Sequence, residues 1–243
     1  MACPDKYKWT YIDPRGKWYL KSKSYFSFGT SLHKVLQRFH DSGDAGVETT
    51  DQAVAALEES WIDAGYSSQE EMMESMAEGK AIIEEYTQTV LSEPVTPDTI
   101  YVEKLLRTDL SEFTLLGRVD RVDQHQDGTI EVVDYKSGRQ EVTVEQVESD
   151  LAMGVYQLLL SKLHPGHHTK ATIIALRSNS RASAGLDAEA LATFESDLLH
   201  IGKEILNRDF ENMVPKVKDL CEGCDFLPLC SKHPDFKGPE LEQ

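Results

Sequence analysis

The sequence predicts an α/β protein with a mixed sheet flanked by helices. Three features predict it. Residues 116–138, LGRVDRVDQHQDGTIEVVDYKSG, read as two strands around a tight turn at Gln126-Asp127-Gly128, where glycine supplies the positive φ of a short hairpin. Residues 143–163 read as a long helix between two strand-like runs, and strand–helix–strand implies a right-handed crossover. Apolar residues recur at helical spacing over 28–40, 50–64 and 68–91. The 243 residues, 40% of them hydrophobic, suffice for one large domain spanning 1–243. A helical insertion is expected over 41–97 and a cysteine-bearing C-terminal segment over 215–243.

Along the chain, residues 6–23 read as a hairpin turning at Asp13-Pro14-Arg15-Gly16, with Tyr7, Trp9 and Tyr11 on one face and Lys6, Lys8 and Thr10 on the other. Eight of the twenty aromatics fall in the first 28 residues, interleaved with lysines, a composition suited to stacking unpaired bases. Most of these rings are nonetheless expected to cover the core. Leu32, Val35, Leu36 and Phe39 mark the buried stripe of the helix at 28–40, with His33 beside it as a hydrogen-bonded neighbour of the core. Ser68-x-x-Glu71 is a capping-box signature opening the helix at 68–91, and Pro94 and Pro97 close that stretch. A strand at 99–107 carries Glu103. The central hairpin follows, with Leu115, Leu116, Val119 and Val122 on its first strand and a second strand at 129–136. After the helix at 143–163 comes a strand at 167–177, then a helix at 187–207 capped by Asp187.

The formal charge is −17, unfavourable for binding nucleic acid as a whole. Its distribution is uneven. Residues 1–40 hold eight Lys/Arg against two Asp/Glu, whereas 41–100 hold fifteen Asp/Glu and one Lys, Lys80. A basic edge beside acidic, solvated helices is compatible with directed nucleic-acid binding. No apolar run reaches membrane-spanning length and no signal-peptide core is visible, so a cytoplasmic protein without membrane partners is expected.

Side chains alternate along a strand, so Asp134 and Lys136 share a face, and Asp120 on the neighbouring strand lies across from them. Such carboxylates suit a hard divalent cation, and the lysine suits charge building on a phosphate. Gly117-Arg118-Val119-Asp120-Arg121-Val122-Asp123 followed by Asp134-Tyr135-Lys136-Ser137-Gly138 resembles the nuclease motif of the RecB-like branch of the PD-(D/E)XK superfamily. Gly29-x-x-x-His33 resembles an earlier motif of the same branch. The resemblance implies a restriction-endonuclease-like fold and Mg²⁺- or Mn²⁺-dependent hydrolysis of DNA. It implies His33, Asp120 and Asp134 as metal ligands with the Tyr135 carbonyl as a further one, Lys136 as the catalytic cation, and Glu103 at the edge of the site. It places Tyr156 on a helix facing the substrate. That branch carries Gln-x-x-x-Tyr there, and this chain departs from it with Ala152.

Cys221, Cys224 and Cys230 form C-x2-C-x5-C, which is metal-ligand spacing, with Cys3 as the fourth thiol. Spacing alone leaves zinc and iron–sulfur open. Some RecB-like nucleases, of the AddB type and of CRISPR adaptation, have one cysteine before the nuclease core and three after it around a [4Fe–4S] cluster. The resemblance implies that cluster here, stapling Cys3 to the C-terminal triplet, with Zn²⁺ as the alternative. It also implies an exonuclease acting on single-stranded DNA or DNA ends in repair, recombination or defence. No G-x-x-x-x-G-K-[ST] loop is present, so any helicase is a separate protein. A spacer-processing nuclease working with CRISPR-adaptation proteins, and a non-cleaving Fe–S or zinc protein that binds DNA or a partner, are the other readings.

Overall fold

Helical elements open the described chain, three strands follow, and two helices separate these from two further strands before the closing helices. The computed structural model describes residues 3–41 and 46–238. The parts of the expected insertion at 42–45 and of the expected cysteine segment at 239–243 lie outside the described residues. The chain divides into two compact units, Lys23–Lys203 and the paired ends Met1–Ser22 and Glu204–Gln243.

The larger unit holds a five-stranded sheet in chain order: β1 (Asp98–Leu110), β2 (Phe113–Gln124), β3 (Ile130–Lys136), β4 (Thr169–Ala175) and β5 (Ser180–Ala184). Pairing is antiparallel except between β3 and β4, which run parallel. The sheet is therefore mixed, as the sequence predicts. One face is covered by α2 (Ser24–His40), α3 (Thr50–Ser60) and α4 (Gln69–Ser92). Leu32, Val35, Leu36, Leu57 and Ile83 close there on Val133 and Ile174. Each such side chain stabilises the fold by about 1.5–3 kcal/mol. Residues 50–92 thus form a layer of the core. The other face is covered by α5 (Val144–Ser149) and α6 (Leu151–Leu163), where Met153, Leu159 and Leu160 meet Val119, Val132 and Ile173. Residues Leu110, Leu158 and Leu198 form a third cluster with Phe194 of α7 (Ala188–Leu206).

Three expectations are corrected. The single helix at 143–163 is broken at Asp150, which ends α5 and caps α6 by accepting from the amides of Ala152 and Met153. At Ser68 only half of the capping box forms. Ser68 accepts from the Glu71 amide, but the Glu71 carboxylate goes to Ser67. Residues 6–23 are not a hairpin but helical turns as far as Trp18, α1 (Pro4–Tyr7), a π-helical turn (Lys8–Ile12) and a 3₁₀ turn (Pro14–Trp18), followed by irregular chain. Prolines at the first helical positions, with Cys3 and Asp13 as caps, outweigh the alternation of rings.

In the smaller unit Tyr7 stacks on Phe210 with centroids 5.5 Å apart, and Lys232 Nζ donates to the Tyr19 hydroxyl at 3.1 Å. The cysteine segment is a chain of short turns, including α8 (Leu227–Cys230), around the buried Phe226. The rings of the N-terminal stretch divide: Tyr7, Trp9 and Tyr19 are partly covered, while Tyr11 and Trp18 are open.

On the α2–α4 face a polar cluster lies inside the core. Arg121 Nη1 donates to the hydroxyls of Tyr86 and Tyr135, each at 2.8 Å, and to His40 Nε2 at 2.7 Å. Burial, reinforced by the Arg121 charge, pushes His40 down to about 2. In the unfolded chain His40 binds a proton below about 6.5 and in the folded chain it does not, so acid favours unfolding. We expect this group alone to remove about 1.4 kcal/mol of stability per pH unit below 6.5. Denaturant titrations at pH 6, 5 and 4 should show a shallower acid loss in His40→Gln than in the unmodified chain.

Candidate active site

The site forms where the sheet forks. β2 pairs with β3 only from Gln124 back to Arg121, which faces Val133, and beyond that point pairs with β1 alone. The fork leaves the Tyr135 amide without a strand partner, and Asp120 Oδ2 accepts from it at 2.8 Å. Asp120 Oδ1 faces His33 Nδ1 at 3.3 Å. The other ring nitrogen, His33 Nε2, donates to the Tyr135 carbonyl at 3.1 Å. Glu103 Oε1 lies 3.7 Å from His33 Nδ1. One ligand atom each from His33, Glu103 and Asp120 falls within 4.8 Å of the others, the one such group among the described residues.

Two glycines permit these approaches. A Cβ on Gly29 would stand 3.0 Å from Ser137 Oγ, so glycine lets α2 close on the end of β3 and bring in His33 one turn later. A Cβ on Gly117 would stand under 3 Å from both Tyr156 and Leu159, so glycine lets α6 lie down on β2. Arg177 holds the loop after β3, donating to the Ser137 carbonyl at 2.7 Å.

Asp134 and Lys136 share a face of β3, with Lys136 Nζ 2.7 Å from Asp134 Oδ2. Burial and the neighbouring Asp120 charge push Asp134 up to about 6. Burial opposes the Lys136 charge, but Asp134, Asp150 and Asp120 outweigh it and raise the ammonium. Burial, with Asp134, Asp120, Asp150 and Glu103 around it, pushes the Tyr156 hydroxyl up to about 12. Tyr156 therefore looks onto the acids as a neutral donor. All residues that the sequence nominates around Asp120 are brought together. The Tyr135 carbonyl lies there as the acceptor for His33, and Asp134 lies beside the three-residue group, paired with Lys136.

Two neighbours were missed from sequence. Asp150 reaches Lys136 and Tyr156 electrostatically, and its signal was the cap that breaks the helix. Arg118 Nη1 donates to the Glu103 carbonyl oxygen at 2.7 Å. Nothing in the sequence marked that contact, because it rests on Glu103 adopting a φ of 45° inside a strand.

A cavity of about 860 Å³ lies elsewhere, lined by His40, Arg121, Asp123, Glu131 and Arg181. Its buried acids are paired, Asp123 with Arg121 and Thr99, and Glu131 with His125, Thr172 and Lys170. The chemistry is concentrated at the fork.

Burial works against a charged His33, yet Asp120 and Glu103 override it and push the imidazole up to about 10. This raised value means that the pair stabilises the cation-free fold fully below about 6.5 and loses that contribution as pH climbs towards 10. Ring-proton NMR of the cation-free protein should find His33 still protonated at pH 8. In Asp120→Asn its titration should fall by more than one pH unit.

The family description "PD-(D/E)XK nuclease superfamily" matches residues 1–231. Among curated proteins nothing matches. A solved structure described as "Crystal structure of SSO0001" is 13% identical, with 86% of this chain and 96% of that chain covered, at a TM-score of 0.39. No helix among the described residues is long and apolar enough to cross a membrane. On the match over residues 1–231, the chain belongs to the PD-(D/E)XK nuclease superfamily.

Proposed function

We propose that the chain is a divalent-cation-dependent nuclease that hydrolyses DNA phosphodiesters, acting on single-stranded DNA or DNA ends. The observation that carries this reading is the convergence of His33, Glu103 and Asp120 within 4.8 Å, beside the Asp134–Lys136 pair. The donor set fits a hard cation: two carboxylates, one imidazole nitrogen and a third acid alongside. Mg²⁺ or Mn²⁺ would be held by His33 Nδ1, Glu103, Asp120 and Asp134. Bound there, it would supply Lewis-acid charge to the phosphate oxygens and activation to a water. The chain's own groups do the rest. The Tyr135 carbonyl fixes the His33 ring through Nε2, so that Nδ1 faces the carboxylates. Lys136 brings a permanent positive charge to the reacting phosphate. Asp134, raised to about 6 in the cation-free site, would give up its proton on taking the cation. Tyr156 offers a neutral hydroxyl.

Asp120→Ala and Asp134→Ala should lose cation binding and cleavage together. Lys136→Ala should keep the cation and lose roughly a hundredfold or more in cleavage, the scale of one electrostatic stabiliser. Calorimetry with Mn²⁺ beside a cleavage time course on end-labelled DNA reads both. Undiminished cleavage by Asp134→Ala would sink the site assignment. DNA binding without any cleavage by the unmodified chain would favour the non-cleaving reading.

We also infer that the four cysteines hold a [4Fe–4S] cluster. Burial pushes Cys230 up to about 11, with Cys224 and Cys3 among the charges acting on it, so thiols from both chain ends share one neighbourhood. The C-x2-C-x5-C spacing, with Cys3 as a fourth thiol, supports a cluster held by four cysteines. Anaerobically purified protein should be brown, and Cys221→Ala should lose both colour and solubility. Colourless protein with stoichiometric zinc would overturn the iron–sulfur assignment.

A further inference from the structure

Beyond the fork, β1 and β2 continue as a two-stranded ribbon whose two faces differ. Leu106, Leu110 and Val119 are buried on one face, against the α6 and α7 clusters. The other face carries two cross-strand pairs, Leu105 opposite Arg118 and Arg107 opposite Leu116. All four residues are exposed, with Leu105 and Leu116 each 54% open. The leucines lie on one diagonal and the guanidiniums on the other. A single exposed leucine needs no explanation. Two of them interleaved with two arginines, on an exposed strand face, form a patterned surface.

This face begins at the cation cluster. Glu103 and Asp120 occupy the step between the paired positions Val102 with Arg121 and Lys104 with Val119, and Leu105 and Arg118 are the next positions outward on the open side. Arg118 touches the Glu103 carbonyl oxygen directly. Arg107 makes no ion pair among the described residues. In a chain of charge −17, an unpaired guanidinium on an open strand next to an acidic cluster calls for an anionic visitor. Asp109, hydrogen-bonded to Thr114, ends the basic stretch at the ribbon tip.

We propose that the open face of the β1–β2 ribbon is the track for the nucleic-acid strand entering the site. Its phosphates pair with Arg107 and Arg118, and its unpaired bases lie against Leu105 and Leu116. The proposal rests on the nuclease reading for its direction, because a scissile phosphate at the cluster puts the flanking nucleotides onto the ribbon. Two residues of strand advance about 6.8 Å, so the arginines are spaced to meet neighbouring phosphates of an extended strand. Apolar side chains have nothing to gain from duplex DNA, whose bases are already stacked. A single strand or frayed end offers its base faces to them.

The test uses the full chain and fluorescence anisotropy with a labelled single-stranded oligonucleotide and a matching duplex, in Ca²⁺, across a salt series. Arg107→Glu should weaken single-strand binding about tenfold and flatten the salt dependence by roughly 0.7 in log–log slope, the size of one phosphate contact. Leu105→Asn combined with Leu116→Asn should weaken single-strand binding several-fold and leave duplex binding unchanged. Mn²⁺ calorimetry and thermal midpoints, matched to the unmodified chain, establish that the cluster and fold persist in these variants. Unaltered affinity and salt slope in Arg107→Glu would overturn the track. So would a leucine variant that dissociates a dimer in sedimentation while binding DNA as before, since the face would then belong to a second copy. A chain that cleaves nothing, yet loses single-strand affinity with Arg107→Glu, would defeat the nuclease reading and leave the track standing.

Discussion

Everything at the site depends on how one backbone unit, Tyr135, is satisfied after the sheet forks. A buried amide needs a partner, and β2 has already turned away. The Asp120 carboxylate takes the amide, while the carbonyl of the same residue takes His33 Nε2–H. The two sides of one residue's backbone therefore position two of the groups that face the proposed cation position. The Tyr135 ring anchors the arrangement from below. It is buried, and its hydroxyl accepts from Arg121 and meets the Tyr86 hydroxyl at 2.9 Å. The polar cluster on the α2–α4 face thus holds in register the strand that carries Asp134 and Lys136.

This division of labour explains why carboxylates a few residues apart differ. Asp123, three residues after Asp120 on the same strand, is buried and bound to Arg121 and Thr99. Its charge is spent inside the fold. Asp120 stands where pairing stops, keeps one oxygen for structure and turns the other towards His33 and Glu103. Asp134 lies on the face opposite Tyr135, and its nearest cation is Lys136. Strand alternation separates acids that hold the fold from acids that face the open cluster.

Much of this was legible in the sequence. The strand alternation of 115–136, the apolar stripe at Leu32, Val35 and Leu36, and the acid–lysine spacing all depend on local periodicity, which survives folding unchanged. What was not legible depends on competition between local signals, or on tertiary approach. The rings at Tyr7, Trp9 and Tyr11 alternate like a strand, but capping by Cys3 and Asp13 with two prolines decides for helix. The break at Asp150 is a contest between helix continuity and a side-chain cap, and the cap wins. The strand β5 was passed over because Ser180–Ala184 is short and weakly apolar, and it exists through its pairing with β4. The partnership of Arg118 with Glu103 belongs to the same class, since no periodicity encodes a backbone turned out of the usual region.

Glu103 links the cluster to the ribbon. Among the described residues three non-glycine residues have positive φ, and Ser111 and Asn179 lie in the turns after β1 and β4. Glu103 alone lies within a strand, a conformation costing about 1–3 kcal/mol for such a residue. Glycine would remove that cost, but it would bring no carboxylate to His33 Nδ1. The same kink changes which side of the ribbon is buried. Tyr101 and Leu106 are five positions apart, so strict alternation would place them on opposite faces, yet both belong to the α6-facing cluster. The roll at Glu103 reconciles them, and it turns Leu105 and Arg107 outward as it turns Leu106 inward. The strain that aims an acid at the proposed cation position is therefore also what opens the leucine–arginine face beside it. A residue that relaxed Glu103 would disturb both at once, which ties the geometry of the cluster to the surface along which a substrate strand would approach it.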